Sequence, residues 1–381
     1  FIEVLQYAAQ RHITVIPEIE SPGHARAAIV AMKARYNRLK ESNIDAAQEY
    51  LLSEQADTSK YVSAQAYTDN VMNVAMPSVY RFMDKVCSEI IAMYQEAGVP
   101  LASIHIGGDE VPHGSWEGSP ICHRFMKEHQ MKDTHELAEY YLENITQMLS
   151  EKGVKTSGWQ EVALKHSPEM NSRIAPRFNG VYCWNTIGSN SIIPYTVAND
   201  GYDVILCNVN NFYLDLAYNT HKDEPGLIWG GYVDEFASFD MLPYNVYGSV
   251  RKNMAGEKNN LKTAGKGKVQ LAGDARSRIK GIQAQLFSET IGSFDMVQYY
   301  IFPKIFGLVE RGWNSFPEWT PTPGNDKQAL YEHARAIYNA KIAQIELPRL
   351  ALDSINFRIA QPGVKIVDGK LYANSPIPQA E

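Results

Sequence analysis

Short apolar runs alternate with amphipathic stretches along this chain. Phe1, Val4, Leu5 and Ala8 recur at helical spacing, and the strand-like run ITVIPEIE follows at 13–20. Residues 25–78 are mixed and polar, an excursion with some helix. Val79, Phe82, Met83, Val86, Ile90 and Met93 return to helical spacing and stop at Gly98. ASIHI (102–106) reads as a second strand. Asp133, with Glu136 three residues on, predicts a capping box at the head of a helix through Leu149, closed by Gly153. Further strands are predicted at VKTSGWQE (154–161), GVYCW (180–184) and DVILCN (203–208). A long Gly- and Lys-containing loop region, roughly 219–278, precedes the sixth strand IKGIQAQLF (279–287). Helices are predicted over Phe294–Trp313 and Ala329–Ala343. Near the end, VKIV-DG-KLYA (364–373) has the pattern of two strands joined by an Asp-Gly turn.

Six strands alternating with helices imply a parallel sheet with helices outside it. The polar and aromatic residues stand at strand ends: Glu18 and Glu20, Asp109 and Glu110, Trp159 and Glu161, Trp184, Asn208 onward, and Glu289. A closed barrel collects its chemistry from many strand ends, whereas an open doubly wound sheet concentrates it at one switch point. No G-x-G-x-x-G or phosphate-binding loop accompanies the strands. The expected fold class is therefore α/β, a (β/α)₈ TIM barrel. The expected domains are a partial catalytic barrel over 1–348, then a linker and the first hairpin of a C-terminal β module over 349–381.

Composition narrows the function classes. The chain has 381 residues, 45% hydrophobic and 21% charged, with a net charge of −7. That is ordinary globular composition without the basic footprint of a nucleic-acid binder. No apolar run approaches the ~20 residues that span a bilayer. Cys87, Cys122, Cys183 and Cys207 fit no zinc spacing and are expected to be buried thiols. Phe1 lies inside a helical pattern, so the chain is expected to be a piece of a longer protein. The lack of a signal peptide then says nothing of compartment.

The chemistry concentrates at Ile104–Trp116, IHIGGDEVPHGSW, where two carboxylates stand side by side after two glycines. Successive strand residues face opposite ways. Gly107 and Gly108 permit a bend beyond which Asp109 and Glu110 can converge on one ligand. Two carboxylates in a cleft can differ in pKa, one ionised and one protonated. Glycosidic cleavage uses such a pair: an acid for the leaving oxygen, and an anion for the developing positive charge. Helix capping is the plainer use of an Asp-Glu pair.

The surrounding segments point to the sugar chemistry. HIGGDE (105–110), VIPEIESPGHA (15–25), GWQE (158–161), NFYLD (211–215) and FPKIFGLVERGWN (302–314) occur in this order over nearly the whole chain. Together they resemble glycoside hydrolase family 20, the β-N-acetylhexosaminidases. The resemblance implies strands 3–8 of the barrel and retention by substrate assistance. It implies Glu110 as general acid and then base, Asp109 orienting the substrate's 2-acetamido group, and Tyr213 donating to the acetamido oxygen. Trp159 and Trp184 would wall the sugar, and Asp215 and Glu289 would accept from its hydroxyls. His24, His105, Glu18 and Glu20 would stand behind these. His113 and Trp116, on the loop after the acid pair, are candidates for the aglycone. Phe287 stands where the family has Trp, and Glu20 where it has Asp. The resemblance further implies that the segment supplying strands 1 and 2, with an arginine for the terminal sugar, is missing from the chain as given.

The expected function is exo-acting removal of terminal β-linked N-acetylglucosamine or N-acetylgalactosamine from glycans. The alternatives are a non-catalytic glycan-binding remnant of the fold and an enzyme releasing a disaccharide. No metal or organic cofactor is expected, since clusters such as His24 with Glu18 and Glu20 lack a convincing third ligand. A glycan is the expected partner, with the missing N-terminal segment or self-association covering the open edges. The expected location is secreted, periplasmic or cell-envelope.

Overall fold

The computed structural model describes residues 1–359, 363–367 and 370–374. The chain divides into two compact units: residues 1–182 with 200–203, and residues 183–199 with 204 onward.

The first unit opens with α1 (Ile2–Ala9), β1 (Glu18–Ser21), α2 (Arg26–Leu39) and α3 (Ile44–Gln48). It continues with α4 (Pro77–Ala97), β2 (Ser103–Gly107), α5 (Pro120–Glu128), α6 (Thr134–Glu151), β3 (Lys155–Trp159), α7 (Pro168–Ile174) and β4 (Phe178–Cys183, its last residue grouped with the second unit). The four strands lie side by side in chain order, all parallel. The predicted strand at 13–20 contracts to Glu18–Ser21. Pro17 has no N–H for a ladder, yet its carbonyl accepts from His105 N at 2.9 Å. The apolar residues before it are held from the side, with Tyr94 Oη donating to Val15 O at 2.9 Å.

Local signals act as their chemistry requires. Pro77 opens α4, and Gly98 closes it at φ 67°. Asp133 caps α6 by accepting from His135 N and Glu136 N. The return arm of the predicted capping box is displaced by one residue. Glu136 Oε2 accepts from Lys132 N at 3.1 Å rather than from Asp133 N.

The second unit contains α8 (Ile193–Asn199), β5 (Val204–Leu206), α9 (Val209–Phe212), α10 (Ala237–Asp240), β6 (Ile279–Ile282) and α11 (Phe294–Ile301). It ends with α12 (Lys304–Trp313), α13 (Gln328–Lys341), α14 (Leu347–Leu352), β7 (Gly363–Val367) and β8 (Lys370–Asn374). β5 and β6 pair in parallel. Beyond them the ladder continues irregularly, with Tyr213 bridging Gln285 and Leu214 N donating to Gln285 O at 2.9 Å. The single helix predicted over 294–313 is two helices, because Pro303 lacks an N–H and its ring clashes with a helical carbonyl. A core of Phe236, Phe239, Trp319, Tyr331, Tyr338 and Leu347 packs α10 against the C-terminal helices. β7 and β8 form the antiparallel hairpin with Val367 opposite Lys370. Its predicted Asp-Gly turn lies outside the described residues. All four cysteines are buried, and none is in a disulfide. Among the described residues, no helix is long and apolar enough to cross a membrane.

Candidate active site

In the first unit, β2 ends and the backbone turns sharply. Gly107, Gly108 and Glu110 have φ of 72°, 93° and 49°. The glycines answer both conformation and space. A Cβ at Gly107 would lie 1.8 Å from Glu20 Oε2, and one at Gly108 would lie 2.4 Å from Val162 Cγ1. Glu110 has no such exemption, so its left-handed conformation is a local strain held by its surroundings.

That turn brings neighbouring carboxylates to one imidazole. His24 Nε2, itself at φ 50°, lies 3.4 Å from Asp109 Oδ2 and 3.4 Å from Glu110 Oε2. Gln65 Nε2 donates to the same Glu110 oxygen at 3.2 Å. Behind this group, Trp159 Nε1 donates to Glu18 Oε1 at 2.9 Å and lies 3.4 Å from Glu20 Oε1. His105 Nδ1 lies 3.1 Å from Glu18 Oε1, its ring edge-on to Trp159 and Tyr182.

The protons follow from these contacts. The hydrogen bond from His24 holds the Glu110 carboxyl below the usual range, with help from Gln65 and against the effect of burial. Asp109 and Glu110 together raise His24 to about 10. Burial, the Asp109 charge and a hydrogen bond to Glu18 push Glu20 up to about 10. Burial pushes Glu18 up as well, but His105, Glu20 and Trp159 bring it below its ordinary value. At neutral pH the cluster thus holds a neutral Glu20, carboxylates at Glu18 and Glu110, and an imidazolium at His24. The donor atoms of His24, Asp109 and Glu110 lie within 4.8 Å of one another. This differs from the His24, Glu18 and Glu20 grouping considered from sequence. As an imidazolium between two carboxylates, His24 offers no lone pair to a cation.

Trp116 is buried, with Nε1 donating to Met72 O at 2.8 Å, so it anchors the loop after the acid pair. His113 is exposed.

The second unit brings together a different set. Tyr213 lies 5.4 Å from Phe287, 5.5 Å from Trp229 and 6.4 Å from Trp184, by ring centroids. Trp184 is buried, whereas Trp229 and Phe287 are exposed. Asp215 is buried, accepts from Phe287 N at 3.2 Å, and is raised above the usual carboxylate range by that burial. Glu289 is exposed. Lys304, wholly buried, donates from Nζ to Leu214 O and Leu216 O, both at 2.7 Å, and so grips the carbonyls on either side of Asp215.

Gln65, Trp229 and Lys304 escaped the sequence reading of the site. Gln65 and Trp229 stand in irregular segments without periodicity or motif. Lys304 falls inside the FPKIFGLVERGWN segment, where its charge on a helix looks like an ordinary surface lysine.

The chain matches the glycosyl hydrolase family 20 catalytic domain over residues 1–315. It is 32% identical to N,N'-diacetylchitobiase of Vibrio harveyi, covering 99% of this chain and 46% of that protein. It is 34% identical to a β-hexosaminidase of Vibrio vulnificus, covering 82% of this chain and 36% of that protein. The crystal structure of a family 20 exo-β-N-acetylglucosaminidase from Vibrio harveyi, in complex with N-acetylglucosamine, superposes with a TM-score of 0.66 at 28% identity. That alignment covers 94% of this chain and 45% of the other. The chain thus spans less than half the length of these relatives. Its parallel strands and intervening helices are those of a partial (β/α)₈ barrel. With the match running through the acid pair and the aromatic strand ends alike, the chain belongs to glycoside hydrolase family 20.

Proposed function

We propose that this chain carries the catalytic carboxylates of an exo-acting hydrolase that removes terminal β-linked N-acetylglucosamine or N-acetylgalactosamine from glycans, with retention. Glu110 serves as acid and then base. Asp109 orients the 2-acetamido group, whose carbonyl oxygen attacks the anomeric carbon. Tyr213 donates to that oxygen. Trp159, Trp184 and Phe287 present aromatic surface to the sugar, and Asp215 and Glu289 accept from its hydroxyls. His24, His105, Glu18 and Glu20 set charge and orientation behind the acids.

One observation carries this reading: Asp109 and Glu110, adjacent in sequence, meet at His24 because the backbone turns through three positive φ values. A pair used only to cap a helix needs no shared imidazole. Two acids on one centre can divide the work, one at the leaving oxygen and one at the internal nucleophile. In the free protein Glu110 is held ionised, the form required for the second, water-activating step. A bound sugar that excludes water raises a carboxyl's pKa and so favours the acid form required first.

The test compares Glu110→Gln with Asp109→Asn on chromogenic N-acetylglucosaminides. Losing the acid removes roughly 10²–10⁴-fold in rate with an ordinary leaving group. An activated leaving group should restore much of the rate in Glu110→Gln and little in Asp109→Asn. Equal recovery in both would refute the division of roles. A glycan-binding remnant would show no turnover in the unsubstituted protein.

A further inference from the structure

We propose that His135, Glu139 and His166 form a binding site for a divalent transition-metal ion, with zinc the best fit, separate from the catalytic acids. His135 and Glu139 are one turn apart on the first half of α6, and His166 lies on the segment after β3. One donor atom from each lies within 4.8 Å of the other two.

Proton accounting points to a cation here. His166 Nε2 lies 3.1 Å from Val162 O, a carbonyl that can only accept, so Nε2 carries the proton. In neutral imidazole Nδ1 is then a lone pair, yet it faces Glu139 Oε1 at 2.8 Å. His135 differs in using a single nitrogen: its Nε2 faces both Lys165 O at 3.2 Å and the same Glu139 oxygen at 3.5 Å. Two imidazoles thus aim nitrogens at one carboxylate oxygen, with rings stacked at 6.0 Å and 19°. Filling every contact with protons would require an imidazolium at His166, whereas one proton on His135 Nε2 serves both of its contacts. A divalent cation in place of the proton between His166 and Glu139 leaves that ring neutral and can also take the lone pair of His135 Nε2.

The donor set fits. Two imidazoles and a carboxylate are a common zinc set, and imidazole nitrogen disfavours calcium and magnesium. Tetrahedral zinc with bonds of about 2.0–2.1 Å separates its ligand atoms by about 3.3 Å. The observed 2.8 Å and 3.5 Å bracket that spacing. Val162 O would hold the far nitrogen of His166, as backbone carbonyls commonly orient metal-binding histidines. The cluster sits on the wall of a cavity of about 380 Å³ that also takes in Glu110 and the loop through Trp116. A bound ion would tie α6 to the segment after β3 and so fix that wall. This proposal does not depend on the sugar chemistry.

The experiment is calorimetric titration of the chelator-treated protein with zinc, with cobalt absorption as a second readout and calcium as a control. Saturation at about one equivalent is expected, with calcium failing to compete. His135→Ala, Glu139→Gln and His166→Ala should each weaken binding by at least about tenfold. His24→Ala should leave it unchanged. His135 is partly exposed, so His135→Ala keeps the test valid if the His166 variant does not fold. Zinc should also raise the melting temperature of the unsubstituted protein and not that of His135→Ala. No binding at roughly 100 µM zinc, a generous level for such a site, would overturn the proposal. So would full affinity in His135→Ala, or loss confined to His24→Ala.

Discussion

The two candidate clusters of this protein are held by different physics. In the first unit, a strained turn and shared protons place Asp109, Glu110 and His24, and the contacts are ionic. In the second unit, Tyr213, Trp184, Trp229 and Phe287 meet ring to ring, and one buried lysine fixes the backbone beneath them. Backbone conformation and pH govern the first cluster. Side-chain volume and buried hydrogen bonds govern the second. The acids need a sharply defined geometry that their sequence separation would not otherwise permit. The aromatic surfaces need only apolar area, which tolerates small rotations.

The largest effect expected from this contrast lies at Gly108. Ala there would hold an unfavourable φ of 93° and place Cβ 2.4 Å from Val162 Cγ1. Strain of about 1–3 kcal/mol plus the clash should lower kcat/KM by roughly two orders of magnitude. Adding Val162→Ala relieves only the clash, so recovery should be partial. Kinetics on a chromogenic substrate decides this; a Gly108→Ala protein with the parent's rate would remove the backbone from the explanation.

The matching break in the second unit is Lys304→Met. It leaves the carbonyls of Leu214 and Leu216 without their donor, at about 2–4 kcal/mol of stability for two buried acceptors. Calorimetry should show the lowered melting temperature. Activity should fall through Tyr213 and Asp215, while the pH profile set by the acid cluster keeps its shape. A change in the profile beyond the loss of Lys304's own titration, which burial brings down to about 7, would show that the two clusters are not governed separately.

Glu20→Gln sharpens the pH side of the comparison. Glu20 is raised to about 10 from an ordinary 4.5. Between those values the folded protein holds a proton that the unfolded chain releases, so Glu20 makes stability fall as pH rises through that window. Gln keeps a donor for Glu18 without the titration. Relative to the parent, the variant should gain stability from pH 5 to pH 8, by on the order of 1 kcal/mol or more. Thermal melts at the two pH values measure this, and an unchanged difference would place Glu20 among ordinary carboxylates.

The smallest effect is expected for Gln65→Ala. Removing its hydrogen bond lets the Glu110 carboxyl rise, so the acidic limb of kcat/KM moves to higher pH. The move should be smaller than in His24→Ala, because the imidazole is the leading influence on Glu110. An equal or opposite displacement would show that Gln65 does not act through that carboxyl.

The alternation of strands and helices, the Gly98 stop, the Asp133 cap and the acid pair were all legible along the chain. Each rests on short-range physics: side-chain period, left-handed glycine and capping hydrogen bonds. Strand lengths were overread at 13–20 and 279–287, because apolar residues continue where the ladder does not. Periodicity hides Pro303 as a breaker because the apolar period continues through it. The sequence by itself thus determined which residues are the candidates for the chemistry and on which kind of element they stand. Only the tertiary structure decided that His24, from the β1 loop, stands between Asp109 and Glu110, and that Gln65 and Lys304 act on the site. Those contacts join residues tens of positions apart, and no periodic pattern encodes which distant side chain will meet a given carboxylate or carbonyl. The same holds for His135, Glu139 and His166, where the helix supplies the first two by spacing and the fold alone supplies the third.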